Sequence, residues 1–211
     1  MRISTKTIGR LSHYRRLLAE LLEKGQTHVY SHELARLEGG TAAQVRRDLM
    51  AIGCTGSPAK GYDVAVLLKD LEGYMPPAEC RRCVLVGVGN LGRALLSYFV
   101  GRDSQYTVVA AFDADPERTG RVIHGCRCHP LEELDAVVTG ESVKVAMLAV
   151  PVEAAQGVAD ALVRSGVVGL VNFAPVRIWV PEGVYVESVD VSMRLERASF
   201  YACQRTRGDV K

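Results

Sequence analysis

The spacing of apolar positions changes partway along the chain. Before residue 76 they recur every three to four residues. Leu11, Tyr14, Leu17, Leu18, Leu21 and Leu22 predict the inward stripe of a helix that Gly25 stops. Ser31 is placed to cap a second helix, His32 to Glu38, with Leu34, Ala35 and Leu37 turned inward. After a Gly39-Gly40 turn, Thr41-Ala-Ala-Gln44 has capping-box spacing, in which each side chain satisfies a backbone N–H of the other residue. It predicts a third helix running to about Ile52, with Ala42, Val45, Leu49 and Ile52 on the buried side. Gly53 to Gly61 holds three glycines and a proline, so it is a loop or hairpin. Two short helices joined by a glycine turn and followed by a hairpin predict a winged helix-turn-helix.

Pro76-Pro77 breaks the pattern, because proline cannot continue a helix and pushes the preceding residue toward extended geometry. Beyond it come unbroken apolar runs that alternate with helical stretches. Strands are predicted at Cys83–Val86, Thr107–Phe112, Val143–Val150, Val167–Phe173 and Tyr185–Val189, and helices at Leu91–Phe99 and Glu153–Ser165. Runs of Val, Leu and Ala without polar alternation are parallel strands covered on both faces, which makes this segment an α/β doubly wound sheet of Rossmann type. The expected division is a winged-helix domain over 1–76, a Rossmann domain over 80–190, and a C-terminal helix and tail over 191–211.

Between the first of these strands and its helix stands Gly87-Val88-Gly89-Asn90-Leu91-Gly92. A GxGxxG motif is weak alone, but this one lies at a strand-to-helix turn. Gly87 permits the tight turn, Gly89 lets a pyrophosphate approach the backbone, and Gly92 lets the helix pack closely. The helix N-terminus offers free N–H groups and a positive dipole to phosphates. Asp113 ends the second strand, 21 residues after Gly92. A carboxylate there hydrogen-bonds both ribose hydroxyls of NAD and repels a 2′-phosphate, and Asp115 adds negative charge, while Arg118 and Arg121 lie nearby. Val150 and Pro151, at the end of a later strand, are expected at the same crevice. The Asn172–Pro175 turn either reaches it as well or is an ordinary turn.

Charge sharpens the picture of the front segment. The chain has 211 residues and a net charge of +2, but residues 1–62 carry +5 and the remainder −3. A basic front suits an anionic partner, although a solvated basic surface gives the same count. On the third predicted helix Gln44, Arg46 and Arg47 project away from the buried side. Arginine grips guanine O6 and N7 and glutamine pairs with adenine, so these are candidate base readers, with Asp48 placed to orient one arginine. Lys6, Arg10 and Lys60 are candidate phosphate contacts. Composition is that of an ordinary globular protein, 48% hydrophobic and 24% charged. There is no apolar run of membrane-spanning length and no leader-like start, so a cytoplasmic protein without a membrane partner is expected. Of six cysteines, Cys80 and Cys83 form a CxxC, and Cys126 and Cys128 form a CxC followed by His129. That set fits a metal or thiol-switch site, or, as strand cysteines usually are, small core residues; no metal site is expected. In the tail, Val191, Leu195, Ala198 and Ala202 form a stripe that must be covered, and a second copy of the chain in a two-fold dimer is the expected cover.

With these features in order, the chain resembles the Rex family of redox-sensing transcriptional repressors. The resemblance rests on Thr41-Ala-Ala-Gln-Val-Arg-Arg-Asp-Leu49, Gly87-Val-Gly-Asn-Leu-Gly-Arg-Ala-Leu95, Ala110-Ala-Phe-Asp113 and Asn172-Phe-Ala-Pro-Val-Arg177, and it spans nearly the whole length. It implies a homodimer on an A·T-rich inverted-repeat operator, with NADH binding closing the dimer and releasing DNA while NAD⁺ competes without driving release. It implies too that the C-terminal helix is swapped between subunits. By matching position, Asp190 lies near the nicotinamide pocket, Arg16 is its ionic partner across the dimer, and Tyr98 is a further contact. The chain departs from the family in a wing, Ser57-Pro-Ala-Lys60, that keeps one lysine, and in Met50-Ala-Ile52 where aromatic residues are common.

The rival reading is an NAD-dependent dehydrogenase with a minimal substrate region, since a fold does not fix a function. Such an enzyme needs a positioned acid or base. The candidate histidines, His124 and His129, fall in a stretch without pattern. A third reading is an NAD-binding interaction module without DNA, which salt-sensitive duplex binding would separate from a repressor.

Overall fold

A computed structural model describes residues 3–100 and 105–208. The chain divides into two compact units, one ending at Pro77 and one beginning at Ala78. In the first, α1 (Thr5–Glu23) is followed by β1 (His28–Val29), α2 (Ser31–Glu38), α3 (Ala42–Ala51), β2 (Tyr62–Asp63) and α4 (Val64–Tyr74). The strands β1 and β2 pair antiparallel as a small wing. Leu11, Tyr14 and Leu18 of α1 are fully buried against Leu34 of α2, Val45 and Leu49 of α3, and Leu67 and Leu71 of α4.

Two helix starts differ in detail from expectation. Tyr30, not Ser31, precedes the first turn of α2, and its N–H donates to Glu33 at 2.7 Å. Ser31 is the first helical residue, and its hydroxyl instead accepts from Arg46 Nη1 at 3.0 Å. At α3 only half of the capping box forms. The Thr41 hydroxyl accepts from the Gln44 N–H, as expected, but the Gln44 side chain turns to Asp48.

In the second unit the described strands are β3 (Arg82–Val86), β4 (Thr107–Asp113), β5 (Val122–Ile123), β6 (Cys126–Pro130), β7 (Val145–Leu148), β8 (Gly169–Asn172) and β9 (Tyr185–Ser188). They form a sheet of order β5-β6-β4-β3-β7-β8-β9, parallel except for β5. Leaving out the β5 edge, this is the doubly wound order in which the chain starts at the centre, winds one way, returns and winds the other. Three helices follow strands: α5 (Asn90–Phe99), α6 (Leu134–Gly140) and α7 (Val152–Arg164). Alternation along β3 sends Val84 and Val86 into one core with Phe112, Leu148, Leu162 and Leu170. It sends Cys83 and Leu85 into the opposite core with Leu96, Met147, Cys126 and Cys128. The last helix, α8 (Val191–Gly208), is exposed from Val191 to Gln204, including Leu195, Phe200 and Tyr201. Among the described residues no helix is long and apolar enough to cross a membrane.

The β5–β6 hairpin and α6 are additions to the expected elements. His124 and His129 belong to this hairpin, not to an unpatterned loop. The His129 ring packs near Phe112, and its Nδ1 lies 2.7 Å from Glu133, so it has a partner that sequence spacing hid.

Candidate functional site

In the second unit the β3–α5 connection is a tight glycine turn with open space at its centre. Gly87 sits at φ +95°, where side chains are strained, and a Cβ there would lie 2.3 Å from the Ala149 carbonyl oxygen. A Cβ on Gly92 would lie 1.9 Å from the Gly87 oxygen, so the first turn of α5 closes directly on the loop. A Cβ on Gly89 would meet nothing within 4 Å. The two outer glycines are required by the protein's own backbone, whereas the middle one faces open space where a ligand can come close. Asn90 and Leu91 begin α5 with exposed side chains, and Val88 is buried.

Asp113 at the end of β4 faces this turn and is 8% exposed. Its carboxylate accepts from the Val88 N–H at 2.7 Å, the Asp115 N–H at 2.9 Å and Arg118 Nη1 at 3.1 Å. Burial alone would raise this carboxyl, but the two backbone donors and the Arg118 guanidinium hold it below the usual carboxylate range. Three of about four acceptor positions are filled within the protein, so one remains open. Arg118 also reaches Asp115 at 3.1 Å and thereby bridges both acids.

A cavity of about 710 Å³ lies over these groups, lined by Gly87, Gly89, Asn90, Leu91, Asp113, Asp115, Arg118, Val150 and Pro151 among others. The same cavity takes in Leu131, Ala149, Ala154 and Val158, which the sequence did not single out. They come from just after β6 and β7 and from the first half of α7, and only sheet order brings them together. The Asn172–Pro175 turn is not among the lining residues. Asn172 is 1% exposed and spends its amide locally, donating to the Val176 oxygen and accepting from the Ala174 N–H.

In the first unit, the exposed side of α3 presents Ala43, Arg46, Arg47 and Met50. Asp48 lies behind them, 3% exposed. The arginine it contacts directly is Arg10 of α1, and neither Arg46 nor Arg47. Arg10 Nε and Nη2 reach the two carboxylate oxygens at 2.6 and 2.7 Å. Arg10 is therefore committed to a two-pronged pair, not free at the surface for a phosphate. Tyr14 donates to the same carboxylate at 3.1 Å and Gln44 at 2.9 Å. Lys6, Lys60 and Arg16 are exposed, as is Tyr98. Asp190 is half-buried, and its Oδ1 accepts from the Met193 N–H, capping α8. Arg16 and Asp190 belong to different units.

Three of the four cysteines in the candidate set are core residues, and Cys80 is partly exposed. Cys83, Cys126 and Cys128 are buried on one face of the sheet. Burial pushes the Cys83 thiol up to about 12 and the Cys126 thiol up to about 11. Among the described residues no three His, Cys, Asp or Glu side chains are grouped to hold a metal ion. Since the thiolate is the reactive species, alkylation of native protein near neutral pH is expected to spare Cys54, Cys83, Cys126 and Cys128. Peptide mass mapping checks this, and rapid labelling of Cys83 or Cys126 would contradict it.

Residues 2–49 match the family described as "Putative DNA-binding protein N-terminus" and residues 79–176 the family described as "CoA binding domain". The redox-sensing transcriptional repressor Rex of Desulforamulus reducens is 39% identical over 200 residues, 95% of each chain. The chain belongs to the Rex family. Among solved Rex-family structures, the repressor RSP in complex with NADH has a TM-score of 0.86 at 29% identity, covering 99% of this chain and 98% of that one. RSP in complex with NAD⁺ and operator DNA has a TM-score of 0.87 at 29% identity, with both chains fully covered. Rex relatives carry the name of repressors, not of enzymes, which stands against the dehydrogenase reading.

Proposed function

We propose that this chain is a DNA-binding repressor that reads the balance of NADH and NAD⁺. The observation that carries the reading is its full-length match to a repressor solved with both NAD⁺ and operator DNA. The residues present suit the ligand. Gly87, Gly89 and the first N–H groups of α5 would hold a pyrophosphate, and Asp113 a ribose hydroxyl. Val150 and Pro151 offer an apolar wall, which favours the uncharged reduced ring over the cationic oxidised one. On α3, Arg46 and Arg47, with Gln44 beside them, would enter a major groove, while Lys6 and Lys60 would touch phosphates.

The working form in this reading is a cytoplasmic homodimer. The exposed apolar side chains of α8 are covered by the second copy, and two α3 helices meet the halves of an A·T-rich inverted repeat. Across the dimer, Asp190 of one copy and Arg16 of the other would pair in the closed state only, with Tyr98 as a further contact. A ligand shifts such an equilibrium only by its preference for one state, so NADH must favour the closed dimer. By reciprocity, operator DNA weakens NADH binding by the same factor.

The test is fluorescence anisotropy of a labelled inverted-repeat duplex at fixed salt. NADH is expected to release the DNA at concentrations where NAD⁺ leaves it bound. Release by both, or by neither, would refute redox sensing while leaving a DNA-binding protein.

A further inference from the structure

We infer that Asp48 and Gln44 are positioning residues for Arg47, and that Gln44 acts through Arg47 instead of reading a base of its own. The inference rests on the reading that α3 enters the DNA groove. It begins with a continuous chain of hydrogen bonds. Arg10 and Tyr14 of α1 fix the Asp48 carboxylate. Asp48 Oδ1 accepts from Gln44 Nε2 at 2.9 Å, and Gln44 Oε1 accepts from Arg47 Nη2 at 3.0 Å. Asp48 is buried at one end of this chain, and Arg47 is exposed at the other.

Chemistry settles which way the Gln44 amide points. An ionised carboxylate only accepts and a guanidinium only donates. The NH₂ group must therefore face Asp48 and the carbonyl must face Arg47. Pairing with adenine uses both halves of a glutamine amide at once. Gln44 already spends one N–H on Asp48 and one carbonyl lone pair on Arg47, and turning the amide to a base would withdraw a donor from a buried carboxylate. Arg47 gains from the opposite arrangement. A long, freely rotating arginine loses much side-chain freedom when it settles on a base, and less when a neighbour already holds it. The Arg10 and Tyr14 side chains of α1 thus set the aim of a side chain on α3, through Asp48 and Gln44.

The experiment is a double-mutant cycle in the full-length protein. The cognate duplex is recovered by selection from a randomised inverted-repeat pool. Discrimination is the affinity ratio between it and duplexes carrying one changed base pair. Arg47→Ala is expected to lower that ratio about tenfold or more at one position. Gln44→Met should lower it several-fold at the same position, and change it less than about twofold in the Arg47→Ala background. Affinity for random duplex, and its salt slope, should not change in Gln44→Met, because no phosphate contact is removed. The thermal unfolding midpoint should fall by only several degrees, the cost of one hydrogen bond to Asp48, since the Thr41 cap uses only the backbone N–H of Gln44.

Effects that multiply, or a Gln44→Met loss at a different base pair, overturn the relay and make Gln44 a reader. An unchanged ratio in Arg47→Ala overturns it too. A wild-type chain that discriminates no duplex sinks the DNA reading beneath it, and that outcome is visible before any variant is made.

Discussion

Gly92→Ala should lose NADH binding and unfold earlier, whereas Gly89→Ala should lose NADH binding alone. The two glycines differ in what a methyl group would strike. At Gly92 the obstacle is the Gly87 carbonyl oxygen, 1.9 Å away, and both partners are backbone. Neither can rotate aside, so α5 must back away from the turn. Overpacking of this kind costs about 1–3 kcal/mol, which lowers the Tm by roughly 3–10 °C in a unit of this size. It also turns the helix N–H groups away from the phosphates, and a loss of about 2.7 kcal/mol there is a hundredfold in affinity. At Gly89 the methyl group would meet no protein atom, and the backbone angles suit any residue. Its cost to the free protein is below about 1 kcal/mol, that of a weaker helix cap. It does fill the space left for a pyrophosphate. NADH fluorescence titration and calorimetry read the two quantities separately. NADH affinity that survives either change would remove the β3–α5 turn from the ligand site.

The elements that sequence reading places well are those whose pattern is local. The GVGNLG turn has its strand, its glycines and its acid within 32 residues, from Arg82 to Asp113, and the structure brings them together. Strands β3 and β7 and the second half of β4 lie buried on both faces, and β8 is buried on one face and half-buried on the other, so each is written as an apolar run. The β5–β6 hairpin is hidden because it is short, at the sheet edge, and alternates Cys126 and Cys128 inward with Arg127 outward. The helix α6 has only seven residues, too few for a periodic stripe to stand out. The polar contacts were the least legible. Arg10 and Asp48 are 38 positions apart, and nothing in spacing says that they meet. The same holds for Arg118, which lies beside Asp113 in the chain yet is claimed by both Asp113 and Asp115. Side-chain pairing is decided by how helices cross, and that information is not periodic.

Asp48→Ala should be the most damaging single change in the first unit. It removes the acceptor for both prongs of Arg10, for the Tyr14 hydroxyl and for Gln44. Arg10 keeps some access to water, but Tyr14 is fully buried and loses a hydrogen-bond partner. Breaking a buried pair on one side costs about 3 kcal/mol, or a Tm lower by about 15 °C in a unit of 77 residues. Tyr14→Phe, which removes one bond, should cost about 1 kcal/mol. Acid sensitivity gives an independent reading. Burial would raise the Asp48 carboxyl, but hydrogen bonds from Arg10, Gln44 and Tyr14, with the Arg10 charge, hold it below its ordinary value. A carboxylate lowered by folding stabilises above the unfolded pKa of about 4, and that stability is lost as pH falls through the lowered value. Acid unfolding of α1 and α3 should therefore begin below about pH 4 and be shallower in Asp48→Ala. Asp113 gives the second unit a dependence of the same sign, so hydrogen exchange resolved by segment is the measurement that separates them. A further variant splits stability from aim. Replacing Arg10 and Asp48 together by apolar residues of similar volume leaves no unpaired charge, and such exchanges are often neutral. That variant should recover most of the lost Tm and still discriminate duplexes poorly, because Gln44 would have no carboxylate to hold it. Recovery of both properties would show that the pair supports the fold and nothing more.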